Sequence, residues 1–140
     1  MVLIGYDSKV NKINHIKSLW PALQVSGTTP ESLCYDAMMK DYLQSVNGDD
    51  NYFINFSDGQ PYYSNKDVYY YGAPAQNHCR KMVKVMKNNG IKILSYFISE
   101  YSYESDVAAF KSMYGNDAAF INPSNMMEVA RTMNSMFLQK

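Results

Sequence analysis

Gly90-Ile91-Lys92-Ile93-Leu94-Ser95-Tyr96-Phe97-Ile98 is the stretch whose reading decides the fold. Residues 91–98 are rich in β-branched and aromatic side chains, so the segment reads as the strongest strand in the chain. Immediately before it, Ala73 to Asn89 carries apolar residues at helical spacing (Cys79, Met82, Val83, Met86), and Gly90 ends that helix. Immediately after it, Glu104 to Tyr114 reads as a second helix and Ala118 to Ile121 as a short strand. Pro123 then introduces a last helix from Ser124 to Leu138, with Met127, Ala130, Met133, Met136 and Phe137 on its buried side.

Upstream, Tyr52 to Phe56 is an apolar strand closed by Ser57-Asp58-Gly59. Residues Gln60 to Tyr71 have no period and read as a long polar-aromatic loop. The stretch Ser26-Gly27-Thr28-Thr29-Pro30-Glu31-Ser32 opens a helix, with Thr29 as N-cap and Pro30 in the first helical position. Its stripe is Leu33, Ala37, Met38 and Leu43, and Asn47-Gly48 ends it. Val2 to Tyr6 is a short buried strand, and Lys12 to Leu19 alternates loosely as an edge strand that stops before Pro21. Strands therefore alternate with helices to the C-terminus. That order implies an α/β fold of three layers, Rossmann-like, with a mostly parallel sheet and helices on both faces. Residues 1–140 read as one domain.

Composition excludes several classes. Lys plus Arg and Asp plus Glu each number 13, so the formal net charge is zero. A non-specific nucleic-acid binder would be basic, and an anionic membrane surface has no charge to attract. No apolar run approaches the ~18 residues of a membrane span, and the N-terminus lacks the flanks of a signal peptide. The expected compartment is the cytoplasm. Two cysteines, Cys34 and Cys79, fall within helices and read as buried free thiols. His15 and His78 read as structural. No P-loop, nucleophile elbow or G-x-G-x-x-G motif occurs.

In a parallel α/β sheet, ligands bind beyond the carboxyl ends of the strands. Two segments belong there, Phe56-Ser57-Asp58-Gly59 and Ser26-Gly27-Thr28-Thr29-Pro30. The carboxylate of Asp58 and the hydroxyl of Thr28 are hard oxygen donors, suited to Mg²⁺, Mn²⁺ or Ca²⁺. Taken singly, each residue is explained as well by a turn or a helix cap. Together they mark two strand–helix junctions of one sheet. The aromatic loop after Asp58, with Tyr62 and Tyr63, borders the same face and reads as a partner-contact surface beside Ser26, Gly27 and Gly59.

At these residues the chain resembles the von Willebrand factor A family. Gly27-Thr28-Thr29-Pro30 with its helix, the strand ending Ser57-Asp58-Gly59-Gln60-Pro61, the strand Gly90 to Ile98, and Phe120-Ile121-Asn122-Pro123 follow the family pattern in order. The flavour is similar to the intracellular branch found beside AAA-type ATPases, including cobalt-chelatase large subunits, and a bacterial or phage source fits it. The resemblance implies a metal-ion-dependent adhesion site in which Thr28 and Asp58 are ligands. The family's D-x-S-x-S loop has no counterpart, since Asp7-Ser8-Lys9-Val10 is followed by Asn11. The first strand that carries that loop, central in the family's sheet, is absent too. Three arrangements account for this: a fragment of a longer product, a strand supplied by a partner, or the Val2–Tyr6 strand pairing directly with Tyr52–Phe56.

The function implied is a non-enzymatic interaction module with a partial site, binding Mg²⁺ (or Mn²⁺ or Ca²⁺) weakly. Its protein partner offers an acidic side chain to the metal, and the resemblance points to an AAA-type ATPase or a chelatase-like assembly. The alternatives are a metal-free scaffold of the same fold and a small α/β enzyme using Asp58 at the strand end.

Overall fold

The computed structural model describes residues 9–19, 21, 28–45, 50–101, 103–124 and 127–138. The expected strand Val2–Tyr6 lies outside them, as do Ser26 and Gly27. The elements are α1 (Ile13–Leu19), α2 (Glu31–Ser45), β1 (Asn51–Ser57), β2 (Tyr63–Ser64), β3 (Tyr69–Tyr70) and α3 (Gly72–Asn88). They continue with β4 (Ile91–Ile98), α4 (Glu104–Tyr114), a 3₁₀ turn (Gly115–Asp117), β5 (Ala118–Ile121) and α5 (Met127–Leu138).

The main sheet has three described strands in the order β1-β4-β5, all parallel. The decisive segment is thus the central strand, pairing Asn51 to Ser57 with Ile91 to Phe97 on one side and Ala118 to Ile121 with Ser95 to Ile98 on the other. Side chains of a strand alternate between faces, and the two hydrophobic clusters follow that alternation. Ile91, Ile93, Phe97, Phe53 and Phe120 point to one face and pack against Tyr35 and Met39 of α2, Cys79, Met82, Val83 and Met86 of α3, and Phe110, Met113 and Tyr114 of α4. Leu94, Tyr96, Ile98, Ile54, Ala119 and Ile121 point to the other, under Val129 and Met133 of α5. The Tyr96 hydroxyl ties that helix down through the Val129 carbonyl at 3.2 Å and Thr132 Oγ1 at 2.5 Å. The result is an α/β fold with helices on both faces of a parallel sheet. None of its described helices is long and apolar enough to cross a membrane.

Four expectations need correction. Lys12–Leu19 contains a helix, not an edge strand. Ile13 and Ile16 are three apart, no residue of α1 is buried, and Ser18 Oγ bonds back to the His15 carbonyl at 2.7 Å. A half-buried strand face never formed there to enforce a period of two. Residues 60–71 contain the antiparallel hairpin β2–β3, with Tyr63 opposite Tyr70. Its turn is made by Asn65, whose Oδ1 accepts the amides of Asp67 (2.9 Å) and Val68 (2.7 Å).

Helix α2 begins at Glu31 rather than Pro30, because Thr29 is taken up in a bridge to Tyr62. Its buried face is Ser32, Tyr35 and Met39, while Ala37 and Met38 face solvent. The polar residues that override the apolar stripe are described below. In α5, Val129 is the buried residue and Met127 and Ala130 are exposed, so the helix is rotated from the expected orientation toward Tyr96.

Candidate functional site at the carboxyl end of the sheet

Ser57 ends β1 in a buried position, with its hydroxyl 3.4 Å from both the amide and the carbonyl of Gly59. Gly59 has φ 153°, a conformation that side chains rarely adopt, and a Cβ there would sit 3.8 Å from the Phe97 ring. The turn leaves Asp58 exposed at the rim. Pro61 is fully buried, and the Tyr62 amide donates to the Thr29 carbonyl at 2.9 Å. Gln60 completes the fixation. Its amide donates to Asp106 of α4 at 3.1 Å, and its Oε1 accepts from Gln76 of α3 at 3.3 Å. The two segments singled out in the sequence are therefore neighbours, joined one residue after Thr28 and four after Asp58.

Thr28, half-buried, and Asp58 supply two hard oxygens on adjoining loops. Among the described residues no three of His, Cys, Asp and Glu converge on a common point. Thr28 and Asp58 are the hard-oxygen side chains that the sequence singled out on these two segments. Of the partner-contact residues, Tyr62 is exposed, Gly59 is half-buried, and Tyr63 is half-buried with its hydroxyl accepting from Asn65 at 2.9 Å.

Directly beneath lies a polar network that sequence reading missed. Glu31, only 7% exposed, accepts at Oε1 from Tyr35 (2.7 Å), Tyr114 (2.6 Å) and Asn55 (2.5 Å). The second amide proton of Asn55 goes to the Tyr114 oxygen at 3.1 Å, and the Cys79 thiol donates to the same oxygen at 3.4 Å. Three elements, α2, β1 and α4, meet at one carboxylate, and α3 joins through the Cys79–Tyr114 contact. The other carboxylate oxygen of Glu31 is buried without a partner among the described residues, as is the hydroxyl of Ser95, the residue that pairs with Asn55. The signal in the sequence was a polar residue in each of two apolar strands, Asn55 and Ser95.

Burial, followed by the charge of Glu31, pushes the Tyr35 hydroxyl far above its usual range, and burial does the same to Tyr114. Burial pushes the Cys79 thiol up to about 12. The thiolate, the reactive form of cysteine, is correspondingly disfavoured at Cys79. These shifts set a base limit on stability. A thiol or phenol whose folded value is raised holds its proton better folded than unfolded. The resulting stability is complete below the unfolded value and lost as pH climbs through the folded one. With ordinary values of 9.0 for Cys79 and 10.0 for the tyrosines, urea unfolding is expected to give a flat stability up to pH about 9 and a steady fall toward pH about 12. Cys79→Ala should soften the first part of the fall, and an equal slope in that variant would show that Cys79 does not contribute.

A second relay pins the hairpin. Ser32 Oγ bonds the Tyr70 hydroxyl, which meets His78 Nδ1 at 2.7 Å, while His78 Nε2 lies 3.8 Å from Asp36. Ser32 is fully buried and Asp36 is exposed, and the series links β3, α2 and α3. No known family model, characterised protein or solved structure matches the chain.

Proposed function

We propose that the chain is a non-enzymatic protein-interaction module that docks its partner on the carboxyl end of the parallel sheet. Thr28 and Asp58 are the protein donors of a partial divalent-cation site there, with Mg²⁺ the first choice and Mn²⁺ or Ca²⁺ as substitutes. A carboxylate of the partner completes the coordination. The observation that carries this reading is the Thr29–Tyr62 bridge, which holds the Thr28 segment against the loop that follows Asp58. The order of motifs that resembles the von Willebrand factor A family supports it, and on that resemblance the partner is an AAA-type ATPase or a chelatase-like assembly.

Two protein oxygens bind Mg²⁺ weakly, with Kd on the order of 1 mM. Calorimetric titration of Mg²⁺ and Mn²⁺ is expected to give such binding in the parent and none in Asp58→Ala. Binding that persists in Asp58→Ala would place any metal elsewhere and sink the assignment. Absence of binding in both would reduce the module to a metal-free scaffold.

A further inference from the structure

We propose that the rim running from the β2–β3 hairpin to the mouth between β4 and β5 docks a basic, arginine-bearing segment of a partner protein. This goes beyond the metal-linked reading and does not depend on it.

The hairpin end of the rim is aromatic. Tyr69 is 73% exposed, Tyr71 54% and Tyr62 44%, yet their rings touch in series, at 5.4 Å between Tyr69 and Tyr71 and 6.5 Å between Tyr71 and Tyr62. Exposed rings already braced by one another have little freedom left to lose on binding, which is what makes tyrosine an effective contact residue. From Tyr62 the chain leads back through Gln60 and Gly59 toward the end of β4. Gln60 is bonded to Asp106, and Gly59 lies against the Phe97 ring. Phe97 in turn lines a cavity of about 170 Å³ at the carboxyl ends of β4 and β5, together with Phe120, Ile121, Ser99, Glu100 and Asn122. That volume suits one side chain. The Ser99 hydroxyl, bonded to both the amide and the carbonyl of Tyr101, fixes the loop that carries Glu100.

The chemistry of the lining selects the occupant. Rings and an isoleucine offer an apolar wall for an aliphatic stem, while the Glu100 carboxylate and the Asn122 amide oxygen are acceptors for its head. A long cationic side chain has both parts and also complements the Glu100 charge, and the planar guanidinium matches a carboxylate with two parallel bonds. Phe120 already takes one cation, the Lys111 ammonium 5.4 Å from its ring centroid. Charge is distributed to match. Stretches 51–71 and 93–111, which include the hairpin and the cavity, contain Asp58, Asp67, Glu100, Glu104 and Asp106 against Lys66 and Lys111, an acidic excess in a chain that is neutral as a whole. At the opposite end of the sheet Lys92 is paired with Asp50 and Lys87 with Asp117. A basic segment is therefore steered to the aromatic rim and away from the far end.

The test uses fluorescence anisotropy of a fluorescein-labelled peptide of alternating glycine and arginine, with an alternating glycine–glutamate peptide as counterpart. Both are titrated with the whole chain in EDTA, so that the cation site makes no contribution. Saturable binding of the arginine peptide is expected. Glu100→Gln should weaken it about tenfold and the double variant Tyr69→Ser, Tyr71→Ser several-fold. Asp41→Asn, the same charge change on an exposed position of α2, should leave it unchanged. All of these positions are exposed or at the rim, and an unaltered melting temperature confirms that each variant folds. Absence of saturable binding, an equal loss in Asp41→Asn, or preference for the glutamate peptide would overturn the proposal. Because metal is excluded, failure here leaves the Mg²⁺ titration standing, and failure of that titration leaves this result standing.

Discussion

Glu31→Ala is expected to lower the unfolding free energy by about 3–5 kcal/mol, a loss large enough to see as a fall in Tm of roughly 10 °C. The substitution removes the acceptor of the buried hydroxyls of Tyr35 and Tyr114 and of the half-buried amide of Asn55, which keeps its bond to the Tyr114 oxygen. Each stranded donor costs about 1–3 kcal/mol, offset where water enters the vacated space. Glu31→Gln is the control. Its amide oxygen can keep the position of Oε1, and only the unpartnered second oxygen becomes an amide nitrogen. A cost of about 1 kcal/mol is expected for that change. Should alanine prove no worse than glutamine, the three donors do not converge on Glu31 in solution.

Phe110→Ala carries the other large expected effect, about 3–5 kcal/mol. Phe110 is completely buried and is the hub of the aromatic packing beneath β4 and β5. Its ring lies 4.7 Å from Tyr114, 5.3 Å from Phe97 and 5.9 Å from Phe120. Truncation therefore loses both transfer free energy and three ring contacts, and it leaves a cavity in a densely packed layer. Phe110→Leu, which refills most of the volume, should recover more than half of the loss in urea unfolding. Similar costs for the two variants would mean that the layer collapses around alanine and is less tightly packed than the geometry shows.

Much of the fold was legible in the sequence because local pattern and burial agree in its C-terminal half. Ile91–Ile98, Glu104–Tyr114 and Ala118–Ile121 occupy the positions that β-propensity, helical spacing and glycine or proline punctuation indicate. The buried face of α3 likewise carries Cys79, Met82, Val83 and Met86. Agreement ended where long-range polar contacts outweighed local apolar pattern. Helix α2 turns Tyr35 inward instead of Met38 because Tyr35 can reach both Glu31 and Tyr114. Nothing within a window of α2 announces a partner on α4.

The hairpin was hidden for a different reason. Strands of two residues each are too short to show a period, and the turn chemistry of Asn65 was the only local clue. At the candidate site, Asp58 and Gly59 were readable from their place after an apolar strand. Their approach to the Thr28 segment was legible only as a consequence of the α/β class, and the network below it was not legible at all. Asn55 and Ser95, polar residues inside apolar strands, were the clue that went unused.

The meeting of α2, β1 and α4 at Glu31 also constrains the order in which the chain can organise. Its partners stand 24 residues away at Asn55 and 83 away at Tyr114. Closing such loops costs entropy before any bond is returned. Helices α3 and α4 and the pairing of β4 with β5 require only short-range closure and can assemble first. On that order the carboxylate is expected to be enclosed only when α2 and β1 dock onto that nucleus. Interactions made after the rate-limiting barrier leave the refolding rate alone and act on the reverse step. Glu31 is on that order a lock set after closure. Stopped-flow urea jumps on Glu31→Ala are expected to show unfolding accelerated far more than refolding is slowed, and equal changes in the two rates would place the network in the early nucleus.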